Sequence, residues 1–120
     1  MFYLAAYSMV TGIESIEVRE FFEEEAKSEM AHVKEFSNLI VGLGGVPEMS
    51  SNSFVFADTS SRAMLNYALL MEEEVIENYC KRMADAEALG GTDGRWIVIF
   101  LEEQVMHSRE DVDKIRQLLK

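Results

Sequence analysis

Three scarcities limit what this chain can be. Its 120 residues include one cysteine and one proline, and its 11 Lys and Arg residues face 22 Asp and Glu residues. The single cysteine, Cys80, excludes an intramolecular disulfide. With only one thiol, the chain lacks the several thiolate ligands typical of a closed structural zinc site. Such scarce proline, together with frequent Glu, Met, Ala and Leu, predicts a helical chain.

The shortage of basic residues also limits the partners. The formal net charge is −11, and no basic stripe offers a surface to nucleic acid or to an anionic membrane. No apolar run approaches the roughly 18 residues of a membrane-spanning helix, and the apolar N-terminus lacks the basic residues that open a signal peptide. We therefore expect a cytoplasmic protein that binds neither nucleic acid nor membrane. Its acidic charge is better suited to binding cations.

Apolar periodicity predicts four helices in one domain that spans residues 1–120. The expected helices cover about 2–10, 15–43, 60–88 and 93–119, with a crossover over 44–59. Gly44 and the following Gly-Val-Pro predict a left-handed cap after the second helix, and Thr59-Ser60-Ser61 offers N-caps for the third. We expect an extended piece at Phe54-Val55-Phe56 and a tight turn over 89–94 that makes the last two helices antiparallel.

Polar side chains interrupt the predicted inward faces at mid-helix. The second helix carries Glu29 and His32, the third Glu72, and the fourth Gln104 and His107. The remaining inward positions of the second helix are apolar, namely Ile16, Val18, Phe22, Ala26, Val33, Phe36, Ile40 and Leu43. Residues three or four apart share one helix face, and burying a carboxylate with an imidazole is costly unless an ion binds them. The pattern matches the ligands of carboxylate-bridged di-iron bundles, in which imidazole and carboxylate donors suit iron.

The motifs that carry a family resemblance are Tyr3-Leu4, EEEAKSEMAHVKEFSNLIVGLGGVP, the LLMEEE around Glu72, and LEEQVMH before the C-terminal apolar positions. With them the whole chain resembles the ferritin superfamily, nearest to bacterioferritins and bacterial ferritins. The resemblance implies an all-α, ferritin-like four-helix bundle with a long crossover between its second and third helices. It also implies a homo-oligomer, at least a dimer and up to a shell.

The implied activity is that of a di-iron ferroxidase, which oxidises Fe(II) with oxygen or peroxide for iron storage or detoxification. By the resemblance, Glu29, His32, Glu72 and His107 are the catalytic metal ligands. Gln104 completes the fourth-helix pair, and its neighbour Glu103 is a candidate to compensate where bacterioferritins have Glu in place of Gln104. Met30 falls where bacterioferritins have a haem-ligating methionine. Non-haem ferritins often carry Met there too, so we favour ordinary packing at a subunit contact for Met30, and iron, not haem, as the cofactor.

The sequence departs from the family pattern in ways that affect charge. A first-helix glutamate expected upstream of Tyr3 is absent, position 104 is Gln, and the fifth helix of typical ferritin shells is lacking, so the chain looks truncated in its first helix. Two divalent cations would meet only Glu29 and Glu72 as anionic ligands. We therefore expect the metal beside Glu29, His32 and Glu72 to be fuller than the one near Gln104.

Two other functions fit the same scaffold. A rubrerythrin-like peroxidase or another di-iron oxidoreductase shares the ligand set, although the usual rubredoxin-type cysteines are absent. A non-catalytic shell or interaction protein with a degenerate metal site is the second alternative. DNA-binding mini-ferritins use metal sites between subunits, and both the Glu-x-x-His within this chain and its acidic charge count against that interpretation.

Overall fold

The computed structural model describes residues 2–12, 15–47 and 56–120, and within them it confirms the all-α class. Its helices are α1 (Phe2–Met9), α2 (Ser15–Gly42), α3 (Ser61–Leu89) and α4 (Gly91–Leu119). None of them combines the length and the apolar character that a bilayer crossing requires. Residues 48–55, half of the predicted crossover, lie outside the described residues and include Phe54 and Val55 of the expected extended piece.

The chain divides into two compact units, Met1–Asn66 and Tyr67–Lys120. In the first unit α1 packs antiparallel on α2 through a cluster of aromatic rings. The Tyr3 ring meets the edge of Phe21 at 5.9 Å between centroids and lies 5.8 Å from Phe22. Phe2 and Phe56 add edge contacts to the same cluster. Aromatic pairs at these separations stabilise beyond the area they bury, so this cluster is the core of the first unit.

Hydrogen bonds tie the segment after α1 to the segment before α3. The Thr11 N–H donates to the Thr59 carbonyl at 2.7 Å, and the two threonine hydroxyls lie 3.1 Å apart. The Ser61 hydroxyl donates to the Thr11 carbonyl. These bonds satisfy main-chain groups at two helix ends, where no partner within a helix exists.

Both predicted caps of this unit are present. Gly44 adopts a φ of +87°, the Gly45 N–H donates to the Ile40 carbonyl at 2.9 Å, and the Gly44 N–H donates to the Val41 carbonyl at 3.0 Å. This pair of bonds is the Schellman motif. At the start of α3 the Ser60 hydroxyl accepts from the Ala63 N–H at 3.3 Å, as an N-cap does.

The predicted inward face of α2 is partly wrong. Val18 and Phe22 are buried, but Ile16, Val33 and Leu43 are exposed. Residues on an α-helix turn by roughly 100° each, so Ile16 falls nearly opposite the buried Val18, and Leu43 lies beyond the helix end. Packing on α1 selects the narrower arc that holds Glu25, Glu29 and His32.

In the second unit α3 and α4 form an antiparallel hairpin with a shorter turn than predicted. Leu89 ends α3 and Gly91 begins α4, and the chain reverses at Gly90 and Gly91, whose φ angles are +72° and +67°. Gly94, inside α4, approaches α3 so closely that a Cβ there would lie 2.6 Å from the Ala86 carbonyl oxygen. Farther along the hairpin, Arg116 pairs with Glu73 at 3.3 Å. α4 begins two residues before the predicted Asp93.

Candidate metal-binding faces

The α2 face of the first unit carries Glu25, Glu29 and His32 at spacings of four and three. Glu29 is half-buried, and its Oε1 accepts a hydrogen bond of 2.6 Å from the main-chain N–H of Tyr3. That N–H belongs to the first turn of α1, where main-chain donors have no partner within the helix. The Glu29 carboxylate therefore caps α1 and places a negative charge at its N-terminus, which the helix dipole favours.

Glu25 is a residue that the sequence analysis did not single out. It is buried, although Glu23 and Glu24 of the same acidic run are exposed. Its position four residues before Glu29 puts it on the inward arc, and that spacing was the signal for it. His32, also half-buried, lies on this arc, so α2 presents two carboxylates and an imidazole along one side.

The α3 face of the second unit carries Glu72, which is 5% exposed, whereas Glu73 and Glu74 beside it are exposed. Tyr79 lies two turns further along the same helix. Burial raises the pKa of the Tyr79 phenol above its ordinary value of 10.0, and the negative charge of Glu72 raises it further. The Glu72 carboxylate therefore lies near enough to the Tyr79 phenol for its negative charge to disfavour the phenolate.

The α4 face carries Gln104, His107 and Asp111, again at spacings of three and four. Gln104 is 4% exposed and Asp111 is 2% exposed. The His107 side chain is 31% exposed, and its Nε2 lies 3.4 Å from the Asp111 Oδ2. The sequence analysis did not single out Asp111 as a ligand, because the family motif ends at the histidine.

Two residues from the predicted set lie elsewhere. Glu103 is exposed, since adjacent residues on a helix point about 100° apart and its neighbour Gln104 takes the buried position. Met30 is 61% exposed on α2. It lines a cavity of about 230 Å³ in the first unit with Leu4, Tyr7, Ala26 and others.

Each unit thus holds part of the predicted ligand set. The first brings Glu29 and His32 to one helix face, and the second buries Glu72 and Gln104 and half-buries His107. Carboxylate and imidazole groups in these positions are the donors that first-row divalent metals take, and amide oxygen is a weaker one.

Comparison with known proteins supports the fold and the family. A ferritin-like, diiron-carboxylate protein from Bacillus anthracis superposes with a TM-score of 0.85 over 99% of this chain and 83% of that chain, at 28% identity. A nutrient stress-induced DNA-binding protein from Nostoc is 29% identical over 118 residues, covering 88% of this chain. The chain spans 64% of that relative's length. The family model for the ferritin-like domain matches residues 1–120. The chain therefore belongs to the ferritin-like domain family and has its four-helix fold.

Proposed function

We propose that this chain binds Fe(II) at a di-iron centre and oxidises it, in iron storage or detoxification. The proposed ligands are Glu29, His32, Glu72 and His107, with Gln104 or Glu103 as a weaker ligand. The observation that carries the proposal is the near-complete burial of Glu72 at mid-helix, in a chain matched throughout by the ferritin-like family. An ionised carboxylate costs several kcal/mol to bury unless a cation or hydrogen bonds compensate it.

The donor set fits iron. Carboxylate oxygens are hard donors that bridge two cations, and imidazole nitrogen suits iron as well as zinc and copper. Glu29 keeps acceptor capacity for a metal while it accepts the Tyr3 N–H, because a carboxylate has about four lone-pair sites. The likeness to a diiron-carboxylate protein supports the choice of a two-iron centre over a single ion.

Fe(II) is the substrate in this proposal. Each ion loses one electron, and a pair of electrons with two protons reduces oxygen to hydrogen peroxide, or peroxide to two water molecules. The bond from Tyr3 fixes the Glu29 carboxylate before iron arrives. Burial of Glu72 strengthens its attraction for the product, because charge interactions grow as water is excluded and Fe(III) carries the higher charge.

Anaerobic calorimetric titration with Fe(II), followed by oxygen, tests this function. Wild type should bind two Fe(II) ions per chain and oxidise them on mixing. Glu72→Gln and His32→Ala should lose bound iron, and Glu74→Gln, an exposed neighbour on α3, serves as the matched control. The proposal fails if wild type binds no Fe(II), or if all four proteins bind it equally. Binding without oxidation would favour the non-catalytic alternative.

The name of the Nostoc relative raises DNA binding as a second candidate function. The formal net charge of −11 opposes it, because DNA binding depends on neutralising phosphates with Lys and Arg. We propose that this chain does not bind nucleic acid. A mobility-shift titration at low salt checks this, and a salt-dependent shift at micromolar protein would contradict it.

We also propose that the chain forms at least a homodimer. Met30, Val33 and Val41 follow one side of α2, and all three are exposed, as is Leu4 on α1. A row of exposed apolar residues along one helix is typical of an interaction surface. Sedimentation should show a mass of at least twice 13.7 kDa at micromolar concentration, and a monomer would refute this proposal.

A further inference from the structure

We propose that Asp111 is a metal ligand that works with His107, so that α4 offers a two-donor chelate for a divalent transition-metal ion. This inference rests on the proposed metal-binding function and adds one residue to it. It would give the fourth helix an anionic ligand, which this chain lacks at position 104 because Gln replaces the Glu of bacterioferritins.

The first support is the state of the Asp111 carboxylate. The residue is 2% exposed, and its Oδ1 receives no hydrogen bond from the part of the chain that the structure describes. A buried polar atom left without a partner costs about 1–3 kcal/mol, and more when it is charged. Native proteins keep few such atoms, and those they keep call for an explanation such as a bound ion.

The second support is the distance between the two donors. The His107 Nε2 and the Asp111 Oδ2 lie 3.4 Å apart. This is longer than the usual N–H···O hydrogen bond of about 2.9–3.0 Å. Two ligand atoms bonded at about 2.1 Å to one tetrahedral ion lie about 3.4 Å from each other. The pair is therefore spaced as ligands of a shared ion.

The third support is position on the helix. Ligands four residues apart on one helix face are the spacing by which the H-E-x-x-H motif binds zinc. Gln104, His107 and Asp111 share one face of α4, with a neutral amide before the histidine and a carboxylate after it. Asp111, which follows His107 in the helix, thus supplies the negative charge that Gln104 does not provide.

Cobalt(II) titration followed by visible absorption tests the inference, because band position and intensity report the ligands of Co(II). The proteins are wild type, His107→Ala, Asp111→Asn and Asp113→Asn. Asp113 is the matched control, since it lies on the same helix, pairs with Arg109 and has a side chain 61% exposed. Metal-free circular dichroism and thermal unfolding establish that each variant is folded.

We expect Asp111→Asn to weaken the His107-dependent site by at least about tenfold and to alter the spectrum of the complex that remains. Asp113→Asn should bind as wild type does. Equal affinity in Asp111→Asn and wild type, or an equal loss in both Asp variants, overturns the inference. Weaker binding with an unchanged spectrum at saturation also overturns it, because Asp111 would then only position His107. If wild type binds neither Co(II) nor Fe(II), the proposed function itself fails.

Discussion

The two compact units treat a mid-helix carboxylate in opposite ways. In the first unit, Glu29 accepts a main-chain N–H from α1 at 2.6 Å and lies beside an aromatic core. In the second unit, Asp111 is more deeply buried, yet none of the described residues donates a hydrogen bond to its Oδ1. The protein therefore satisfies one carboxylate with its own backbone and leaves the other with capacity for an ion.

This difference distinguishes a carboxylate bound by the main chain from one whose Oδ1 has no hydrogen-bond donor among the described residues. Glu29 contributes to the metal-free fold because it caps α1, and ion binding would use only its remaining lone pairs. Asp111, whose Oδ1 has no hydrogen-bond donor among the described residues, should cost stability in the metal-free fold. Removing the charge at each position should therefore change stability in opposite directions.

The largest effect should come from the aromatic core of the first unit. Phe22 is fully buried against Tyr3 and Phe21, so Phe22→Ala should lower the free energy of unfolding by about 3–5 kcal/mol. Phe36→Ala on the same helix is the control, because Phe36 is only half-buried and should cost less. Chemical denaturation measures both, and equal losses would contradict the placement of this core.

The variants Glu29→Gln and Asp111→Asn test the difference between the two carboxylates most directly. In metal-free protein near pH 8, Glu29→Gln should destabilise by about 1.5–3 kcal/mol, because a hydrogen bond to a charged acceptor is lost. Asp111→Asn should be neutral or stabilising, because it removes a buried carboxylate whose Oδ1 accepts no hydrogen bond from the described residues. Thermal unfolding in a chelator measures the pair. Destabilisation of similar size in both variants would show that Asp111 is structurally satisfied.

Gly94→Ala should destabilise the hairpin of the second unit by about 1–3 kcal/mol, because the new methyl group meets the Ala86 carbonyl oxygen. Alanine would otherwise favour a helix over glycine by about 1 kcal/mol. Thr92→Ala, at an exposed position in the same first turn, is the control. A rise in the melting temperature of Gly94→Ala would contradict the close approach of α4 to α3.

The smallest effect concerns Tyr79. Burial, and then Glu72, raise the pKa of its phenol, so Glu72→Gln should lower that pKa while leaving it above 10.0. A raised phenol pKa favours the neutral folded form, so the contribution of Tyr79 to stability is present below the unfolded pKa and is lost as pH rises through the folded pKa. Ultraviolet titration with and without Tyr79→Phe isolates this group. If the pKa of Tyr79 is the same in Glu72→Gln and in wild type, the Glu72 carboxylate does not act on Tyr79.

Much of the fold was predictable because local chemistry determines it. Gly44 caps the end of α2 as predicted, and Ser60, one of the three predicted candidates, caps the start of α3. Apolar periodicity predicted four helices because each one buries a face. The turn at Gly90 is shorter than predicted. The sequence does not reveal that α4 approaches α3 closely at Gly94.

The candidate site was less predictable from sequence. Spacing placed Glu72 and Gln104 on inward faces, and both are buried. Glu25 and Asp111 escaped notice because one lies in an acidic run and the other lies beyond the motif. Their burial depends on which arc of the helix packs, and a sequence with apolar residues on several arcs does not fix that choice. The exposed Ile16 shows the same limit.

Anomalous diffraction at the iron absorption edge, from crystals soaked anaerobically in Fe(II), tests the central claim most directly. The account predicts iron in contact with the carboxylates of Glu29 and Glu72, and iron in contact with both His107 and Asp111. Iron found only at exposed carboxylates such as Glu74 and Glu102, with none at the buried ones, would contradict it.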